Sequence, residues 1–167
     1  MARSIYFTLD ENQSNDTDVR FQFGAYALTL FYAKQIDESK AEELFNTTLT
    51  EYCYRLYHNL STEGYDSDDE SVHFDASEIM RVIAFIDEQV VPALDAETIP
   101  LIEKYGGVKL FQTNFDNEEG FLGHLSIFED EVYNDDPESL IYNLERFKAL
   151  LQQSVDTGQE MIGFFEF

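Results

Sequence analysis

Closely spaced carboxylates in the middle of the chain are the first residues whose types and spacing could do chemistry. Asp66, Asp68 and Glu70 match the first, third and fifth ligand positions of an EF-hand calcium loop, in which carboxylate oxygens bind the ion. The same alignment places Ser71 where that loop needs glycine and Ser77 where it needs a bidentate glutamate. We therefore predict no EF-hand and assign no metal ligand.

The single cysteine and the three histidines are the other candidates for catalysis or metal binding. Cys53 and His58 are five residues apart, which is about 500° around a helix, so they would not share a face. His58, His73 and His124 lack the spacing of a zinc motif. Cys53 falls within an apolar stripe, and we expect it to be buried and dispensable for binding. These patterns predict no catalytic residue and no cofactor.

Two further kinds of catalytic site receive no support from the sequence. Neither glycine pattern that cradles phosphate, G-x-x-x-x-G-K or G-x-G-x-x-G, is present. A carboxylate pair for hydrolysis cannot be singled out among 34 acidic residues, because sequence alone does not identify a carboxyl whose pKa is shifted by burial. We expect a protein that is not an enzyme, with a carboxylate-dependent hydrolase as a less favoured alternative.

The negative charge is large and unevenly distributed. The 167 residues include 34 acids and 10 bases, which gives a formal net charge of −24. The first acidic window, residues 56–80, contains seven acids and neither Lys nor Arg. The second acidic window, residues 110–145, contains ten acids and again neither base. Concentrated like charge destabilises a compact state, and a cationic partner would offset that repulsion.

We predict that the two acidic windows form a binding surface for a basic protein. Aromatic side chains interleave the acids, and aromatic anchors carry much of the binding energy at protein interfaces, while charges at the rim raise the association rate. The candidate contact residues are Tyr65, Asp66, Asp68, Asp69, Glu70, Asp116, Glu118, Glu119, Glu129, Asp130, Glu131, Tyr133 and Asp135.

Composition also excludes several classes of partner. A net charge of −24 disfavours direct binding to nucleic acid and to anionic membranes, because both would be repelled. No apolar run is long enough to span a bilayer. One cysteine rules out an intramolecular disulfide and fits a reducing compartment. We expect a cytoplasmic protein, monomeric or dimeric, without a membrane span.

Helical periodicity is strong in four parts of the chain. Ser39 and Glu42 form a capping box ahead of an apolar stripe that predicts one helix from about Lys40 to Leu60. A second helix is predicted from Asp75 to just before Pro92, and a third, shorter one between Asp95 and Gly106. The last is predicted from the Asp136-Pro137 start to the Gly158 stop. Residues 25–34 are compatible with either a helix or a strand, and their Ala and Leu content favours a further helix.

Strand patterns are fewer. Ser4 to Leu9, Val19 to Phe23, Val108 to Thr113 and the C-terminal Met161 to Phe167 are rich in β-branched and aromatic residues or alternate with period two. The polar stretch between Asp10 and Asp18 predicts a loop. We expect an α/β or α+β fold in a single domain over residues 1–167, with four to five helices on a small, mostly antiparallel sheet.

These features favour an acidic binding or inhibitor protein. In size, acidity and lack of a catalytic motif the chain is similar to immunity proteins, which neutralise a bacterial toxin, commonly a basic nuclease. A nucleic-acid-mimicking inhibitor, whose carboxylates stand in for phosphates, is a variant of this expectation. A secretion chaperone that holds a partly unfolded client is the main alternative, with the helix from Asp136 as its dimer face.

Overall fold

The computed structural model describes residues 3–9, 18–133 and 135–166. Most of the predicted polar loop, 10–17, and the last residue lie outside that range. The elements in chain order are β1 (Ser4–Thr8), β2 (Val19–Gln22), α1 (Phe23–Ile36), α2 (Glu38–Asn46), α3 (Glu51–Tyr57), α4 (Ala76–Phe85), α5 (Val91–Asp95), α6 (Leu101–Lys104), α7 (Val108–Asp116), α8 (Pro137–Thr157) and β3 (Ile162–Glu166). A π turn, Ile86–Val90, joins α4 to α5, and two 3₁₀ turns, Gly120–His124 and Glu129–Glu131, lie between α7 and α8.

Within the described residues the strands form one three-stranded sheet in the order β2-β1-β3. Both pairings are antiparallel, and Ile5 pairs with Phe21 on one side and with Phe165 on the other. Helix α8 packs on this sheet through Phe147, whose ring centroid is 5.2 Å from that of Phe7 and 5.9 Å from that of Phe21. Helices on a small antiparallel sheet confirm the predicted architecture and correspond to the α+β alternative of the predicted fold class.

Helix α1 is the centre of the helical layer. Its residues from Phe23 to Ala33 are all buried, so this helix is apolar on every side, as is typical of a helix enclosed by its own protein. Phe31 contacts Phe111 with ring centroids 5.1 Å apart, and this contact holds α7 against α1. The helix predicted for residues 25–34 is confirmed.

The single helix predicted from Lys40 to Leu60 is wrong, because the chain breaks it at a run of threonines. Helix α2 ends at Asn46, where the hydroxyls of Thr47 and Thr48 each donate to a carbonyl three residues back. The hydroxyl of Thr50 then accepts a hydrogen bond from the backbone N–H of Cys53 and starts α3. Such local side-chain bonds compete with a continuous helix.

The N-cap of α2 is Asp37, not Ser39.

The break also overturns the expectation that Cys53 is buried. Because α3 starts anew at Thr50, the apolar stripe of α2 does not continue through it, and Cys53 is exposed. None of the residues of α3 is buried, although five of the seven, Glu51 and Arg55 apart, are apolar or aromatic. Helix α3 therefore lies on the outside of the protein with an apolar face.

The second predicted helix begins as expected but extends further. Asp75 caps α4 by accepting from the backbone N–H of Glu78. Pro92 does not end the helical segment, which continues from Ile86 through the π turn into α5 as far as Asp95. Proline lacks an N–H and fits near the start of a helix, and the wide π turn before it gives α5 that new start.

Two predictions for residues 95–116 have different outcomes. The short helix before Gly106 is confirmed as α6, which begins only after Pro100. The strand predicted from Val108 to Thr113 is wrong, because this segment is the helix α7. Phe111 and Phe115 are four residues apart and both are buried against Phe31, so the helical period places both rings on one face.

The C-terminal predictions are confirmed within the described residues. Asp136 caps α8, Pro137 is its first residue, and Gly158 ends it in the left-handed conformation with φ of 67°. Strand β3 then follows as Ile162–Glu166 and pairs with β1.

We predict that Gly24→Ala destabilises the protein strongly, because α1 approaches the backbone near Glu131 closely. A Cβ at this position would lie 1.8 Å from the carbonyl oxygen of Glu131 and 2.7 Å from its carbonyl carbon. Neither backbone atom can move cheaply, so we expect a loss of about 3 kcal/mol or more in the free energy of unfolding by urea.

The matched control is Gly158→Ala, since nothing lies within 4 Å of a Cβ there and only its positive φ is strained. A left-handed alanine costs about 1–2 kcal/mol. A Gly24→Ala variant no less stable than Gly158→Ala would contradict the close approach.

Candidate functional site

The first group of candidate contact residues lies on the acidic loop, residues 63–70, which lies between α3 and α4. Tyr65, Asp66, Asp68 and Asp69 are all exposed, and Glu70 is half-buried. These side chains lie on one continuous segment of the chain, and their contact with a partner stays a prediction.

The acidic loop is shaped by its own carboxylates. One oxygen of Asp66 accepts a hydrogen bond from the backbone N–H of Asp68 at 2.8 Å, and one of Asp69 accepts from Ser71 at 2.9 Å. The bond from Ser71 lowers the pKa of Asp69 because it favours the ionised form. The carboxylates of Asp66 and Asp69 therefore order the loop, while that of Asp68 is exposed to solvent.

The acidic loop is also fastened at both ends. The backbone N–H of Gly163 on β3 donates to the carbonyl of Glu70 at 2.9 Å. At the other end, Arg55 of α3 stacks on the ring of Tyr65 at 4.0 Å and binds Glu51 at 3.0 Å. The loop thus bridges α3 and β3, and the charge of Arg55 is paired within the protein.

Glu118 of the second acidic window pairs with a lysine from α1. The ammonium of Lys34 lies 2.6 Å from a carboxylate oxygen of Glu118 and 3.0 Å from the backbone carbonyl of Glu119. The side chains of Asp116 and Glu119 are exposed. Within the part of the chain that the structure describes, Glu118 is therefore the one of these three candidate residues whose charge is compensated by an ion pair.

Glu131 is buried and forms a two-pronged ion pair with Arg3. Its two carboxylate oxygens lie 2.6 Å and 2.9 Å from nitrogens of the guanidinium, and its side chain is 4% exposed. Arg3 also holds the pKa of Glu131 below its usual range. This carboxylate joins the N-terminal strand to the segment before α8, and its charge does not reach solvent.

Asp135 caps α6. Its backbone carbonyl accepts from the N–H of Leu101 at 3.0 Å, and its carboxylate accepts from the N–H of Ile102 at 3.1 Å. By contrast, Glu129, Asp130 and Tyr133 are exposed. The exposed part of the second acidic window is therefore smaller than its sequence indicates.

Most of the few positive charges are used inside the protein. Within the described residues, at least six of the ten Lys and Arg side chains form an ion pair with a carboxylate, among them Arg3, Lys34, Arg55, Arg81, Lys104 and Lys148. The acids left exposed among the candidate residues are Asp66, Asp68, Asp69, Asp116, Glu119, Glu129 and Asp130.

A polar network behind α3 was not predicted. Nδ1 of His73 lies 2.6 Å from a carboxylate oxygen of Glu51, and its other ring nitrogen lies 3.8 Å from a carboxylate oxygen of Glu78. Asn46 lies 3.4 Å from Glu78 and 3.0 Å from His58. These residues lie on α2, α3, α4 and the loop before α4, so no local spacing in the sequence could have indicated the network.

Glu78 is the buried acid of this network. One of its oxygens has no hydrogen-bond partner among the described residues, and burial raises its pKa because the charged form loses its hydration. Tyr54 stacks on His73 with ring centroids 3.5 Å apart and covers the network. The network holds α3 and the end of the acidic loop against α2 and α4.

An apolar pocket of about 400 Å³ lies between α3, β3 and the end of the first 3₁₀ turn. We call it the α3 pocket. Its wall on the α3 side includes Cys53, Leu56 and Tyr57, while Leu125 and Phe164 lie on the other side. This volume is within the range of small ligand sites. No sequence pattern indicated the pocket, because the apolar stripe that contains Cys53 was expected to be buried.

We predict that Arg3→Met destabilises the protein by about 3–5 kcal/mol at pH 7, because it leaves the buried charge of Glu131 without its partner. Since the pKa of Glu131 is lowered, the stability from this pair is present above the ordinary glutamate pKa and is lost as pH falls through the lowered value. Urea unfolding at pH 7 and in acid should therefore show a difference from the wild type that shrinks in acid.

The control for this prediction is Arg81→Met. Arg81 forms an ion pair with Glu43, and its side chain is 58% exposed. Exposed pairs contribute little, so we expect hardly any change in the urea midpoint. Equal effects of the two substitutions would contradict a structural role for Arg3.

We predict that Glu78→Gln flattens the pH dependence of stability. The pKa of Glu78 is raised in the folded protein, so the folded state binds its proton more tightly and stability falls as pH rises from the unfolded pKa through the folded one. Glutamine removes this loss and can keep the contact with Asn46.

Urea midpoints of the wild type, Glu78→Gln and the exposed control Glu88→Gln from pH 4 to pH 8 test this prediction. We expect a smaller decline with pH for Glu78→Gln alone. A slope identical to that of the wild type would mean that Glu78 titrates as an ordinary surface acid.

Wider comparison adds no further functional residue. Among the described residues there is no cluster of three or more His, Cys, Asp or Glu arranged to hold a metal ion. No described helix combines the length and apolar character needed to cross a bilayer. Comparison with protein families, with curated proteins and with solved structures finds no match to this chain.

Proposed function

We propose that this protein binds a basic protein partner and neutralises it by covering its cationic surface. The observation that carries the proposal is the acidic loop, on which Asp66, Asp68 and Asp69 are exposed beside Tyr65. Arg55, which contacts the loop at Tyr65, already pairs with Glu51. A basic partner would relieve the repulsion among these carboxylates.

The exposed residues of the second acidic window extend the proposed surface. Glu129 and Asp130 lie in the second 3₁₀ turn with Tyr133 two residues beyond it. Partners within the protein bind the carboxylates of Glu118, Glu131 and Asp135. We therefore assign these three residues a role in stabilising the fold. The proposed contact set is thus narrower than the one predicted from sequence.

In its more specific form, the proposal is an immunity protein that inhibits a nuclease-type toxin. Such toxins carry positive charge for nucleic acid, and an inhibitor with a net charge of −24 would be attracted to that site over a long range. A nucleic-acid-mimicking inhibitor is the same proposal with carboxylates occupying the phosphate positions.

The secretion chaperone is less well supported. It would need a dimer face, which sequence analysis assigned to the helix from Asp136. In α8 the apolar residues Leu140, Leu144, Phe147 and Leu151 are buried within the chain, so that stripe is already occupied. The exposed apolar face of α3 is the feature that a client could use.

The hydrolase alternative is also weakly supported. The cleft at the start of α8, of about 480 Å³, contains Asp136 and Glu138. Both side chains are exposed and Asp136 caps its helix, whereas an acid catalyst needs an apolar surrounding that raises its pKa. Glu78, whose pKa is raised, lies outside this cleft and outside the α3 pocket.

We predict that Asp68→Lys weakens partner binding at least about tenfold, because an exposed carboxylate of the acidic loop is replaced by a repelling charge. Asp68 is chosen because the carboxylates of Asp66 and Asp69 also hold the backbone. The measurement is affinity capture from the native cell, followed by binding kinetics with the purified partner at low and high salt.

Glu88→Lys is the matched control, because Glu88 is exposed on the π turn. This substitution changes the net charge by the same amount as Asp68→Lys does. We expect the partner to be basic, its association to slow steeply with salt, and Glu88→Lys to bind almost as the wild type does. An acidic or neutral partner, or equal effects of the two substitutions, would refute the proposed surface.

The immunity form has a separate test. The captured partner, expressed alone, should arrest growth, and co-expression of the wild type but not of Asp68→Lys should restore it. If the partner alone does not arrest growth, the proposal of a toxin inhibitor is refuted. The proposal that the protein binds a basic partner would then still stand.

A further inference from the structure

The α3 pocket is an open apolar surface that the described residues of the protein do not fill. Leu56 is 61% exposed at its edge and Cys53 is also exposed, while no residue of α3 is buried. A short helix normally turns its apolar side chains to the core, but among the described residues α3 lacks a partner on this face. Exposed apolar surface of this kind is typical of an interaction site.

The described lining of the pocket is suited to an apolar group. The described residues lining it include no Asp, Glu, Lys or Arg. At its base the hydroxyls of Tyr26 and Thr48 bond to each other at 2.6 Å, so neither needs a polar group from a ligand. An aromatic or leucine-sized side chain would bury apolar area here without leaving a polar atom unpaired.

The acids around the pocket determine what else the occupant must carry. Gly163 lines the pocket and donates to Glu70, the last residue of the acidic loop. On the α3 side, the hydroxyl of the lining residue Tyr57 lies 3.4 Å from Glu42. Leu125 lies four residues before Glu129. The pocket is therefore next to the acidic loop and close along the chain to the exposed part of the second acidic window.

The negative charge also indicates whether a second copy of the chain or a different protein occupies the pocket. Two copies would each bring a net charge of −24 and would repel one another. A positively charged segment would be attracted by the same acids. The favoured occupant is therefore an apolar side chain carried on a basic segment of another protein.

We propose that the α3 pocket receives an apolar anchor residue, aromatic or leucine-sized, from a basic segment of the partner, while the acidic loop binds the flanking positive charges. This inference rests on the proposed function, and it adds the position of the anchor and the kind of sequence the partner presents. Leu56 and Tyr57 contact the anchor, and Asp68 contacts the basic flank.

The probes are two synthetic peptides, one with four lysines on each side of a central tryptophan and one with serine in its place. The protein has no tryptophan, so peptide fluorescence reports the anchor alone. We expect both peptides to bind in a salt-dependent manner and the tryptophan peptide to bind at least about tenfold more tightly. Its emission should shift to the blue, and it alone should slow thiol labelling of Cys53.

Variants separate the pocket from the charge. Leu56→Gln should abolish the advantage of tryptophan and leave the serine peptide unchanged, and folding should tolerate it because Leu56 is largely exposed. Leu110→Gln is the control, since Leu110 is 50% exposed on α7. Asp68→Lys should weaken both peptides alike.

The outcomes distinguish this inference from the proposed function. Equal affinity of the two peptides, or an unshifted emission, would overturn the anchor and leave the acidic surface as the binding site. Failure of both peptides to bind at low salt would overturn both proposals. A preference for tryptophan that survives Leu56→Gln would place the anchor elsewhere and refute the assignment to the α3 pocket.

Discussion

The burial of α1 on every side is the constraint on which the rest of the structure depends. A helix with eleven consecutive buried residues cannot lie on a surface, so the chain must supply cover in all directions. Helix α2 packs along it, the rings of α7 close over Phe31, and the turn at Glu131 contacts its first residues. The close approach at Gly24 and the ion pair of Arg3 with Glu131 are consequences of that enclosure.

Enclosing α1 also decides which charges remain available. Lys34 at the end of α1 draws in Glu118, and Arg3 next to β1 draws in Glu131. Both bases come from parts of the chain that are distant from the acids they pair with. Among the ion pairs of the described residues none neutralises the acidic loop in this way, and Arg55 beside it pairs with Glu51 of its own helix. Folding therefore leaves the uncompensated charge on fewer residues than the two acidic windows contain.

The predictions succeeded where local signals are sufficient. The caps at Asp75, Asp136 and Gly158, together with the period of α8, located α4 and α8 correctly. They failed where tertiary contacts or short-range hydroxyl bonds decide. Val108 to Thr113 has the composition of a strand, but the packing of Phe111 and Phe115 on Phe31 makes it helical. The exposure of most of the acidic loop follows from its polar composition, whereas the pairing of Glu131 with Arg3 spans 128 residues and has no local signature.

The order within the acidic loop has a thermodynamic meaning for any complex it forms. Its backbone is held by the carboxylates of Asp66 and Asp69, by β3 and by the stacked pair of Arg55 and Tyr65. A free loop would lose conformational entropy on binding, which opposes association. Here that entropy is already lost when the protein folds. The loop resembles a preformed template more than a flexible acidic tail, and the attraction of its charges is available to the complex undiminished.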